Sequence, residues 1–74
     1  MAARHIFKVT REGKKWLLKK DGSLLGSFSS REKAQTTALQ KAKWYLSSKV
    51  IIYRPNGSVF RSFFNSEDFA YWNG

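Results

Sequence analysis

The sequence predicts an α+β fold: an antiparallel-rich sheet of four to five strands in the order βββαββ, with one long helix packed on one face. Three observations carry this. Two-residue alternation of apolar and polar side chains recurs in short segments bounded by turn residues. One stretch without Gly or Pro, from Ser29 to about Leu46, repeats alanine at helical spacing. Asp21-Gly22 and Pro55-Asn56-Gly57 supply turn chemistry between the alternating segments.

Arg4–Arg11 sets His5, Phe7 and Val9 on one side and Ile6, Lys8 and Thr10 on the other, the pattern of a half-buried strand. After the turn Glu12-Gly13, Lys14–Lys20 places Trp16 and Leu18 on one face and Lys15, Leu17 and Lys19 on the other. Asp21-Gly22 is a two-residue hairpin signal, because both central positions of a type I′ turn need positive φ. Leu24–Phe28 returns as a third strand. Ser29 with Glu32 reads as a capping box opening the helix, which is expected to begin at Ser29 or Ser30. On a helical wheel Ala34, Ala38, Leu39, Ala42, Tyr45 and Leu46 fall within an arc of about 140°. Lys33, Thr36, Gln40, Lys41, Lys43 and Trp44 take the other side. Lys49–Arg54 and Ser58–Phe64 form a fourth and a fifth strand around the Pro55-Asn56-Gly57 turn. Residues 66–74 form an aromatic tail in which Ser66-Glu67-Asp68 resembles a second helix start. No linker or repeat divides the 74 residues, so one domain is expected over 1–74.

Composition narrows the function classes. With 42% hydrophobic and 16% aromatic residues the chain is too apolar to stay disordered. The absence of cysteine removes disulfides and thiolate metal sites. No apolar run nears the roughly 18 residues of a membrane span, and Met1-Ala2-Ala3-Arg4-His5 lacks the apolar stretch of a secretory signal; a cytoplasmic protein is expected. Fourteen Lys and Arg against five acids give a net charge of +9, and Glu67 and Asp68 place two of those acids in the tail. Such a field attracts polyanions, nucleic acid before anionic membrane or an acidic protein. Charge that only keeps a small protein soluble is the plainer alternative.

The stretch from His5 to Val59 resembles a family of small bacterial proteins catalogued as domain of unknown function 2188. The likeness rests on the opening His5 strand, Gly13-Lys14-Lys15-Trp16, Ser29-Ser30-Arg31-Glu32-Lys33-Ala34 and Val50-Ile51-Ile52-Tyr53-Arg54-Pro55-Asn56-Gly57. It implies an α+β fold and no assigned activity. Thr36, Thr37 and Trp44 stand where the family's helix typically carries more alanine and acid, and the aromatic tail also departs from it. Three strands followed by a Ser- and Lys-rich helix start also resemble the double-stranded-RNA-binding domain and the arm-type DNA-binding domain of phage integrases. Both are likenesses of shape.

Enzyme chemistry lacks an inventory. His5 is the lone histidine, Glu12, Asp21 and Glu32 sit at turns or in the cap, and no Gly-rich phosphate loop appears. No catalytic residue, metal or cofactor is therefore expected. In an antiparallel meander with the fourth strand parallel to the third, Arg11, Lys14, Lys15, Arg31, Lys33 and Arg54 converge on the helix N-terminus, where free N–H groups favour anions. That rim is the candidate phosphate-contacting site, with DNA and RNA, single or double strand, left open. Turns are also naturally lysine-rich. The face away from the helix, with Ile6, Lys8, Lys15, Leu17, Lys19, Ile51 and Tyr53, suits stacked bases or a covering partner protomer or tail. Trp44, Phe69, Tyr71 and Trp72 form a candidate interaction surface. The alternative function is a protein-interaction module or small regulator docking on an acidic partner through sheet face and tail, and the crowded aromatics also allow a homodimer.

Overall fold

Alternation in the chain becomes one five-stranded mixed sheet. The computed structural model describes residues 4–45 and 47–65. Its elements are β1 (His5–Glu12), β2 (Lys15–Lys20), β3 (Ser23–Phe28), α1 (Arg31–Ala42), β4 (Ser48–Tyr53) and β5 (Val59–Asn65), in the expected order. Across the sheet the strands lie β3-β2-β1-β4-β5. β1 pairs antiparallel with β2 and parallel with β4, and the outer pairs β2–β3 and β4–β5 are antiparallel. β4 thus runs in the direction of β3, as expected, but lies beside β1. The helix supplies the long crossover that a parallel pair requires. The tail, with Ser66, Glu67, Asp68, Phe69, Tyr71 and Trp72, lies outside the described residues, as does Leu46.

Each turn follows its residues. Asp21 and Gly22 both adopt positive φ, 50° and 89°, as a type I′ hairpin demands. The first hairpin turns one residue later than expected: Glu12 still pairs with Lys15, and Gly13, at φ 61°, makes the bend with Lys14.

The helix starts within the expected Ser29–Ser30 bounds, without the Ser29 capping box, and ends earlier than expected. Ser30, not Ser29, is the N-cap, its hydroxyl accepting from the Lys33 N–H at 3.2 Å. The Ser30 backbone is extended, with φ −138° and ψ 153°, as a cap requires. Glu32 then falls in the first turn, where the dipole favours an acid. At the other end the helix stops at Ala42. The Trp44 and Tyr45 N–H groups bond three residues back, to Lys41 and Ala42 carbonyls, tightening the last turn. Ser48, fully buried on β4, donates its Oγ proton to the Ala42 carbonyl at 3.1 Å. Tyr45 leaves the wheel position expected of it and packs beside His5 and Phe7, at ring separations of 4.8 and 5.8 Å.

The core lies between α1 and the sheet. Phe7, Val9, Leu18, Val50 and Ile52 meet Ala34, Ala38 and Ala42, all fully buried, and Phe63 closes the β5 side. The expected alanine stripe therefore faces the sheet, letting the helix axis approach closely. α1 packs on β1, β2, β3 and β4. The pairing register sends Ile6, Lys8, Thr10, Lys15, Leu17, Lys19, Lys49, Ile51 and Tyr53 to the opposite, open face.

Candidate nucleic-acid interface

The β4–β5 hairpin builds the centre of the basic rim. Asn56 Oδ1 accepts from the Ser58 N–H at 3.0 Å and from its hydroxyl at 2.7 Å, while Gly57, at φ 92°, closes the turn. Arg54 reaches across the hairpin, its Nη1 donating to the Val59 carbonyl at 2.9 Å and to Ser58 Oγ at 3.3 Å. The register then slips between Ile52 and Tyr53: Ile52 pairs with Arg61 and Tyr53 with Val59. Phe60 is the extra residue of this bulge, which re-aims its side chain. Its ring meets Arg31, the first residue of α1, with the guanidinium carbon 4.1 Å from the ring centroid. Arg61 and Arg54 stand at 5.5 and 5.6 Å from the same centroid. Three cations thus share one aromatic ring. The Arg31 Nε is shielded from solvent and makes no hydrogen bond among the described residues.

All six sequence-predicted rim residues lie at this end of the sheet, but they do not form one cluster. Arg31 and Arg54 meet at Phe60. Arg11 ends β1 on the helix side and donates its Nε–H to the Gly13 carbonyl at 3.0 Å. Lys14 is exposed in the turn, and Lys15 stands opposite Glu12 on the open face. Lys33 lines a shallow groove with Phe28, Glu32, Thr36 and Thr37, on the β3 flank of the helix. Sequence reasoning missed Phe60 and Arg61. Strict alternation sets Phe60 opposite Tyr53 on the open face; only the bulge turns it to the arginines, and no residue signal announces that bulge.

The far end of the sheet holds a different cluster. Asp21 Oδ1 accepts from the Ile6 N–H at 2.9 Å and Oδ2 from Lys20 Nζ at 3.0 Å, with His5 Nδ1 at 3.8 Å. The Ile6 N–H, and then the Lys20 ammonium, hold the Asp21 carboxyl below the usual carboxylate range. Lys20 also lies 4.7 Å from the Tyr45 ring centroid. Next to it Trp44 is 85% exposed, with Leu25 at 44% and Tyr45 at 38%. Trp44 sits in the turn beyond the helix, not on its polar side. The rest of the candidate interaction surface, Phe69, Tyr71 and Trp72, lies outside the described residues.

Among the described residues the ion pair is that of Asp21 with Lys20, and His5 Nδ1 lies 3.8 Å from the same carboxylate. Among these residues no group of three or more His, Asp or Glu gathers to hold a metal, and no helix is long and apolar enough to cross a membrane. No family model matches the chain, and neither a curated protein nor a solved structure matches it. The likeness to domain of unknown function 2188 rests on the residues quoted for it.

Proposed function

We propose that this chain is a non-enzymatic, cytoplasmic nucleic-acid-binding module that contacts mainly the phosphate backbone through the basic rim at the N-terminal end of α1. One observation carries the reading: Arg31, Arg54 and Arg61 converge on the Phe60 ring with no carboxylate paired to them among the described residues. Gathering three cations costs free energy through mutual repulsion, which an anion between them relieves. Guanidinium forks match phosphate oxygens in pairs. Arg11, Lys14, Lys15 and Lys33 surround this centre at the same sheet end and extend its field over neighbouring phosphates. Such contacts position a ligand without reading its bases.

The test is a salt titration of duplex DNA, duplex RNA and single-strand binding. With about four phosphates engaged, log affinity falls against log salt with a slope of about −3 to −4. The double variant Arg31→Ala, Arg61→Ala flattens that slope by up to ~2 units. Failure of the native chain to bind any of these forms at ~50 mM salt, where basic domains bind non-specifically, overturns the reading.

The exposure of Trp44 beside Leu25 and Tyr45 favours a second reading, a protein-interaction module that docks an acidic partner at the Lys20 and Lys41 end. Under that reading all three nucleic-acid forms bind weakly at ~0.15 M salt.

A further inference from the structure

The open face of the sheet pairs like with like. Lys8 of β1 stands directly opposite Lys19 of β2, and Lys49, one row along on β4, is diagonal to Lys8. Like charges directly opposed across a strand pair destabilise it. Of the acids near this face, Glu12 stands opposite Lys15 but forms no ion pair among the described residues, and Asp21 holds the Ile6 N–H and Lys20. Among the described residues Lys8, Lys19 and Lys49 form no ion pair. Lys8 and Lys19 line a shallow groove with Ile6, Thr10, Asp21 and Gly22.

Beside the lysines runs an apolar track. Ile51 and Tyr53 follow Lys49 along β4 at the two-residue spacing of one face, and Phe64 of β5 stands opposite Lys49. Ile51, Tyr53 and Phe64 are each half-buried, as are Ile6 and Leu17 on the same face. The face therefore offers two aromatic rings and an aliphatic floor flanked by a cationic strip. A folded chain gains nothing by opposing Lys8 and Lys19 unless an anion is to lie over them.

We infer that this open face binds an unpaired nucleic-acid strand, its bases stacking on Tyr53 and Phe64 while Lys8, Lys19 and Lys49 hold its phosphates. The inference rests on the nucleic-acid reading above and narrows it to a single-stranded ligand. A duplex keeps its base faces stacked inside and presents nothing to the rings, whereas a single strand can splay its bases onto them. Charge decides against a second copy as the occupant. Two such faces laid together set lysines against lysines, on chains of net charge +9.

The experiment measures a fluorescent single-stranded oligonucleotide and the matching duplex side by side, with circular dichroism melts of every variant. The native chain is expected to prefer the single strand. Tyr53→Ala with Phe64→Ala should weaken single-strand binding about tenfold or more and leave duplex binding within about twofold. Arg31→Ala with Arg61→Ala should weaken both forms alike. Lys8→Glu converts the opposed pair into an attractive one, so it should raise the melting temperature while weakening the single strand. That pairing of gain and loss separates a ligand role from damage to the fold. Equal affinity of the native chain for both forms, or a single-strand preference untouched by Tyr53→Ala with Phe64→Ala, overturns the inference and leaves the rim reading standing. Binding of neither form overturns both. A dimer that dissociates on Tyr53→Ala assigns the face to a second copy and overturns the inference.

Discussion

Arg31 lies with its guanidinium carbon 4.1 Å from the centroid of the Phe60 ring, so the first residue of the helix is stacked on the bulged residue of β5. The contact joins two segments far apart in sequence and orients the cation that the proposed phosphate contacts need most. Phe60→Leu keeps an apolar side chain but removes the ring. The expected stability loss is about 0.5–1 kcal/mol for each well-placed cation on the ring, and less for Arg54, whose hydrogen bonds to the hairpin remain. Urea melts read the first effect. Nucleic-acid affinity should fall more steeply than stability, because the arginines lose their common anchor; an affinity unchanged in Phe60→Leu would separate the ring from the site.

Arg61 and Lys33 offer a contrast of equal charge. Arg61 shares the Phe60 ring, whereas Lys33 lies on the other flank of α1. Arg61→Ala should reduce the salt slope by about 1, as expected for a lost phosphate contact, and Lys33→Ala by distinctly less. Equal losses in the two would indicate a diffuse charge effect without a centre.

Two serines precede the helix, and only one of them caps it. Ser30→Ala removes the acceptor for the Lys33 N–H and should cost ~1 kcal/mol. Ser29→Ala should stay within about 0.5 kcal/mol, as an exposed position outside the helix. Thermal melts of the two single variants decide it.

The contact of α1 with the sheet depends on its three alanines. Ala38 is fully buried over the centre of the core, so Ala38→Leu forces extra methylenes into filled space and should destabilise by ~1–3 kcal/mol. Gln40→Ala, on the exposed side, should change stability by less than about 0.5 kcal/mol. A shift of the urea midpoint at constant m distinguishes overpacking from a change in the unfolded chain.

These positions also mark how far residues alone disclose the structure. Features carried by local chemistry were legible: period-two alternation in β1 and β2, the β-branched apolar run of β4, the paired positive φ at Asp21 and Gly22, and the alanine stripe. Features decided by competition between segments were not. The residues from Lys43 to Leu46 are all tolerable in a helix, yet Tyr45 packs on His5 and Phe7, and Ser48 takes the Ala42 carbonyl. The placement of β4 beside β1 is likewise a matter of tertiary packing. For the site, topology brought the predicted cations to one end correctly, but the bulge that draws Phe60 and Arg61 to Arg31 depends on pairing register, which no composition reveals.

Acid should loosen the β2–β3 hairpin through Asp21. Its carboxylate accepts from the Ile6 N–H and from Lys20, and these partners hold its pKa below the ordinary value. A carboxylate depressed in the folded state contributes stability that is fully present above its unfolded pKa, about 3.9, and is lost as pH falls through the lower folded value. Melting temperature should therefore decline as pH is lowered below about 4. Asp21→Asn isolates the charge. Asparagine tolerates the positive φ of 50° at this position and its amide oxygen can still accept from Ile6, but the ion pair with Lys20 is lost. The native chain should be the more stable above that range, and the two melting curves should draw together as the pH falls toward the folded-state value, because protonated Asp21 carries no charge either. Glu12, Glu32, Glu67 and Asp68 are common to both proteins, so their titration cancels in the difference. A difference in melting temperature that stays constant from pH 7 down to pH 2.5 would show that Asp21 acts through turn geometry and not through its charge.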